Sequence, residues 1–144
     1  MTDVAQLEHI AMQYVEGLLA ADGTHVPFDE NVIRSHLVVV PGASNAWQVV
    51  RGAAHVRADF QNERLLECRD MRIAVDVERG VVVLLWESAM NADYARAITI
   101  VDRFVISEGL ITEIEIISVP QAEPFDRVSY LGWDAMIRKV RAGN

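Results

Sequence analysis

The sequence predicts an α+β fold: a cone-shaped, curved antiparallel sheet packed on N-terminal helices, followed by a tail with a C-terminal helix. Three observations carry this prediction. Near the N-terminus, apolar residues recur every three or four positions, as on one face of a helix. From about residue 69 the apolar period changes to two, the period of a half-buried strand. Short turn sequences then cut the second half into long hairpins, so helices come first and four strands follow.

The first helix is expected over Val4–Ala21. Val4, Leu7, Ala11, Tyr14, Leu18 and Ala21 form its stripe, Asp3 and Gln6 are placed as a capping box, and Gly23 is a stop. The punctuated stretch from Thr24 to Asn45 contains a short helix opening at Asp29 and a short strand, Leu37–Val40, ending at Pro41-Gly42. A second helical stripe runs through Val49, Ala53, Val56 and Phe60 to about Arg64. Strands are expected over 69–77, 81–90, 95–106 and 110–119, the second buried on both faces because it is almost continuously apolar. Ser129–Arg141 reads as the tail helix, and the whole of 1–144 as one domain with its core at about 4–120.

Half of the 144 residues are hydrophobic and the formal net charge is −8, so nucleic acid and anionic membrane surfaces are disfavoured as partners. Lys139 is the sole lysine, and the arginines are scattered without forming a basic stripe. Cys68 is the sole cysteine, which excludes an internal disulfide and disfavours a thiolate zinc site. None of His9, His25, His36 and His55 has a partner at metal-ligand spacing, so no metal and no cofactor is expected. The N-terminus lacks the charged and apolar regions of a signal peptide, and no apolar run is long enough to span a bilayer. The expected location is the cytoplasm.

The last hairpin admits two registers. A two-residue turn at Glu108-Gly109 sets Asp102 opposite Glu115 and Phe104 opposite Glu113, gathering acids on one face. A three-residue loop, Ser107–Gly109, sets Asp102 opposite Ile114 and Arg103 opposite Glu113, which charge pairing favours. With that register Ile98, Ile100, Asp102, Phe104, Ile114 and Ile116 share an inner face, where Asp102 is a lone acid. The outer face mixes Val101, Val105, Ile111 and Ile117 with Arg103, Glu113 and Glu115, a composition suited to a homodimer contact.

A helix carrying Tyr14, a short apolar strand, Arg51-Gly52 opening a helix, long hairpins, Val101-Asp102-Arg103-Phe104 and a glycine before the last strand together resemble the nuclear transport factor 2-like superfamily. Its members include SnoaL-like cyclases, scytalone dehydratase, limonene epoxide hydrolase and ketosteroid isomerase. The resemblance covers about residues 4–120 and implies a cone fold, usually dimeric, that hosts unrelated chemistries. Tyr14 and Asp102 are similar in position to the isomerase's two oxyanion-hole donors, one of them a carboxylic acid kept protonated by an apolar site. The isomerase also needs a carboxylate base on the early strand, and Leu37–Val50 contains no Asp or Glu. An epoxide hydrolase would need an arginine and an acid where Ile100 and Ile116 stand, and the pocket histidines of a dehydratase would have to be His36 and His55.

The resemblance implies a pocket for a small hydrophobic molecule. Tyr14 and Asp102 are its candidate catalytic residues. His36, Trp47, Phe60, Trp86, Ile100, Phe104, Ile114 and Ile116 are candidates for its walls. Two functions stay open: a cofactor-independent isomerase, dehydratase or cyclase acting on a small carbonyl compound, and a non-catalytic ligand-binding or dimerisation module. Against the catalytic roles stand ordinary ones: a core tyrosine, and a buried aspartate held by a structural hydrogen bond.

Overall fold

A computed structural model describes residues 3–40, 42, 44–62, 65–91 and 94–120. Helix α1 spans Val4–Ala20. The Asp3 carboxylate caps it, accepting from the Gln6 amide at 2.8 Å. Leu7, Ala11, Tyr14 and Leu18 face the core as their spacing requires, joined by Ile10 and Val15. The helix stops at Ala21, whose left-handed backbone (φ 53°) turns its N–H back to the Gly17 and Leu18 carbonyls. Gly23 plays a different part from the expected stop. It lets Phe60 pack close, and a Cβ there would lie 2.7 Å from the ring.

The following segment departs from expectation. No helix opens at Asp29; a long strand β1, Phe28–Val38, takes the place of the short helix and of the first half of the short strand. Asp29 instead accepts from the Asn31 amide. Over Ile33–His36 both edges of β1 are occupied, by strand β2 (Gln48–Arg51) and by the last described strand, so the backbone donors and acceptors there are met in the sheet. Val49 lies in β2, where it is exposed, rather than on a helical stripe. Helix α2 is correspondingly shorter, Ala53–Asp59, entered through Gly52 at φ 90° and prolonged by a 3-10 turn, Phe60–Asn62. Val56 and Phe60 retain their inward positions.

Strands β3 (Arg69–Asp76), β4 (Val81–Asn91), β5 (Tyr94–Ser107) and β6 (Leu110–Pro120) follow close to the expected limits. The six strands form one curved, unclosed sheet in the order β2-β1-β6-β5-β4-β3, antiparallel throughout except for the parallel β1–β6 pair. Helix α1 crosses its concave face, and the core lies between them. Within the chain β4 is buried on one face only. Val82, Leu84 and Trp86 point inward while Leu85 is 38% exposed, so its apolar run is amphipathic in place rather than enclosed. The tail helix expected over 129–141, with Tyr130 and Trp133, lies outside the described residues.

The β5–β6 register corrects the expected one. Ser107 pairs with Leu110, so the turn is the two-residue Glu108-Gly109, with both residues at positive φ (52° and 79°). A bulge at Thr112 then shifts the pairing by one, and the Thr112 hydroxyl closes it by donating to the Val105 carbonyl at 3.1 Å. Beyond the bulge Asp102 opposes Ile116, Phe104 opposes Ile114, Ile100 opposes Ser118 and Arg103 opposes Glu115. Arg103 lies 3.4 Å from Glu115 and 3.8 Å from Glu113. The bulge separates the acids from Asp102, the task assigned to the three-residue loop. It also turns Ile111 into the core, whereas the sequence reading put that residue on the outer face.

Candidate functional site

The concave face of the sheet and α1 leave a partly open cavity of about 190 Å³ between them. Three strands meet there in register. Across the sheet, His36 on β1 stands beside Ile116 on β6, which stands beside Asp102 on β5. Two strand spacings put His36 and Asp102 roughly 10 Å apart at their backbones, with Ile116 between them. One turn of α1 brings Tyr14 and Leu18 over this row, and Asn62 and Leu65 stand at the cavity edge.

Tyr14 and Asp102 both border the cavity, and each is fully buried, so they form its floor. The Tyr14 ring is fixed by edge-on packing against Phe60 and Phe104, with centroids 5.3 and 5.2 Å away. Asp102 accepts a hydrogen bond from the Trp86 indole N–H at 2.7 Å. That bond gives the buried acid a structural partner in Trp86. It also fixes the facing of Trp86, which the sequence leaves open.

The polar wall is made by β1 and β6. His36 is half-buried, and its Nε2 lies 2.7 Å from the Ser118 hydroxyl. Burial, and then the neighbouring Arg34 charge, lower its pKa below the usual 6.5, so the ring is neutral at neutral pH. Arg34 is buried in the same wall, and its Nη2 donates to the Asp59 carboxylate at 2.6 Å. Its Nε–H, fully buried, has no acceptor among the described residues. Leaving such a donor unmatched costs about 1–3 kcal/mol.

Of the candidate wall residues, His36, Ile100 and Ile116 border the cavity. Phe60, Trp86, Phe104 and Ile114 lie behind it in the packed core, and Trp47 is 48% exposed ahead of β2 and does not border it. Arg34 and Ser118 are the polar groups that sequence reasoning missed. The alternation Val32, Arg34, His36, Val38 was the available signal, and reading that stretch as turn and helix concealed it. Cys68 stands just before β3, and burial, with Asp102 and Asp70 nearby, pushes its thiol pKa up, away from a reactive thiolate. Among the described residues no group of His, Cys, Asp and Glu is arranged to hold a metal ion.

Residues 2–118 match the model of a family described as a domain of unknown function, DUF8021. No curated protein matches the sequence. Among solved structures, an assigned ketosteroid isomerase from Kribbella flavida DSM 17836 superposes with a TM-score of 0.61 at 17% identity, over 91% of this chain and 90% of that one. An NTF-2 like protein of unknown function from Burkholderia xenovorans LB400 gives a TM-score of 0.60 at 12% identity, covering 85% and 87% of the two chains. An LEH-like epoxide hydrolase of M. tuberculosis gives 0.55 at 14% identity, covering 79% and 83%. At these identities the likeness establishes the nuclear transport factor 2-like fold and leaves the chemistry to the site.

Proposed function

The chain belongs to the DUF8021 family, and we propose that it binds a small, mainly apolar carbonyl compound between α1 and the sheet and rearranges it without a cofactor, as an isomerase, dehydratase or cyclase. One observation carries this reading. Two hydrogen-bonding groups, Tyr14 and Asp102, border an apolar space that a neutral imidazole, His36, also borders two strands from Asp102. An oxygen that gains charge during reaction would be stabilised by the first pair, with Asp102 in its protonated form as the donor. His36, on the early strand that lacks a carboxylate, would take up the proton, since an unprotonated imidazole accepts at neutral pH.

The second reading is a non-catalytic binding module. The Trp86–Asp102 hydrogen bond favours it, because one oxygen of the proposed donor is already engaged in the core. The two readings separate on Asp102→Asn, with 2-naphthol as a mimic of an enolate. The catalytic reading expects the variant to fold and to bind 2-naphthol about tenfold or more weakly, because a neutral amide donates a weaker hydrogen bond than a carboxylic acid. Unchanged binding with Asp102→Asn and with Tyr14→Phe sinks the donor roles. Native mass spectrometry of the purified protein then tests for a retained small molecule.

The same proposal has the chain act in the cytoplasm as a homodimer joined through the outer sheet face, with neither nucleic acid nor membrane as partner. In support, Leu85, Ile117 and Val119 are exposed on that face beside the Arg103–Glu113–Glu115 cluster. Among the described residues no helix is long and apolar enough to cross a membrane.

A further inference from the structure

We infer that Arg34 makes one end of the cavity a receptor for an anionic oxygen, so that the ligand is a small apolar molecule carrying one carboxylate group. This rests on the proposal that the cavity binds a ligand, and narrows it.

Arg34 is only 7% exposed and borders the cavity. A guanidinium carries five N–H donors in a fixed plane. Here the acceptor found among the described residues is Asp59, met by Nη2 alone, while the buried Nε–H has none. Buried donors without an acceptor are rare in folded proteins, and at a cavity wall they mark where a ligand atom belongs. Asp59, the last residue of α2, orients the guanidinium without saturating it; its own side chain is 38% exposed.

The surroundings favour an anion over a neutral oxygen. His36 is held neutral by burial and by Arg34, so it adds a hydrogen-bonding edge without a competing charge. Ser118, bonded to His36, adds a hydroxyl that can donate or accept. Leu18, Leu65, Ile98 and Ile116 supply the apolar space for the rest of the molecule. Among the described residues the acid bordering the cavity is Asp102, which lies two strands away beyond Ile116, so a ligand anion beside Arg34 is separated from it. A carboxylate accepts charge-assisted bonds from a guanidinium, which a neutral carbonyl does not match. The cavity volume of about 190 Å³ lies below the ~300 Å³ at which drug-sized pockets begin, so the molecule is small.

The test is a titration of the whole chain with phenylacetate and with its neutral counterpart phenylacetamide, by calorimetry and by NMR shifts of the His36 ring. The acid is expected to bind about tenfold more tightly than the amide, and Arg34→Gln to bring the two within about twofold of each other. If that variant loses its thermal transition because Asp59 is stranded, Arg34→Gln combined with Asp59→Asn removes both charges and answers the same question. Equal affinities in the unaltered chain, or a preference that survives in the Arg34 variants, overturn the role of Arg34 and leave ligand binding by the cavity standing. Absence of binding by both probes overturns the cavity reading and this inference together.

Discussion

Asp102 and Trp86 form a buried pair in which the acid accepts from the indole at 2.7 Å. Replacing Trp86 with Phe keeps most of the packing and removes the donor, so a loss of about 1–3 kcal/mol is expected in urea unfolding. A loss no larger than the area change alone would show that the bond contributes nothing. His36 predicts a pH effect. Its folded-state pKa is depressed by burial and by Arg34, so the unfolded chain binds the proton first as pH falls. Stability from the neutral ring is present above the unfolded value near 6.5 and is lost as pH falls through the lower folded value. NMR titration should give a His36 midpoint below 6.5, and His36→Gln should flatten that part of the stability profile. Tyr14 and Asp102 were legible in the sequence because each sits on a regular apolar period. Arg34 was not, because its strand is held by long-range pairing while its local residues carry turn and cap signals.

The hairpins show how an element can be read correctly for the wrong reason. Charge pairing favoured a three-residue loop, and the chain instead uses a two-residue turn followed by a bulge. The two solutions differ by an even number of positions, so every residue from Asp102 to Phe104 keeps its face. The changes of side fall inside the irregular stretch, where Ile111 turns inward. Glu108 pays for this turn with a positive φ of 52°. Glu108→Asn, which tolerates that conformation, should raise stability by about 0.5–1 kcal/mol; a lower unfolding midpoint would contradict the turn assignment. Gly80 in the β3–β4 turn has a φ of 64°, and a Cβ there would lie 2.3 Å from the Ile106 carbonyl oxygen, backbone that has little room to move. Gly80→Ala is therefore expected to cost more than ~2 kcal/mol, seen as a lower urea midpoint with an unchanged slope.

For the whole molecule, the sequence conveyed the α+β class and the long hairpins, because period changes and turn residues are local. It did not convey that β1 lies beside β6, since nothing within either strand encodes its neighbour. The proposed homodimer belongs to this scale too. Light scattering at micromolar concentration should give twice the chain mass, and Leu85→Arg or Ile117→Glu on the outer face should reduce it to that of one chain. A single-chain mass before mutation ends the proposal. The parallel β1–β6 pair has a kinetic consequence. It joins the first described strand to the last described one, so the loop between them must close before any of its contacts form, and folding is slowed by that entropy. Arg34 and His36 come from one side of that pair and Ile116 and Ser118 from the other. The cavity wall thus cannot exist in a chain still emerging from its synthesis before β6 is made, and it assembles only when the two ends of the described fold have met.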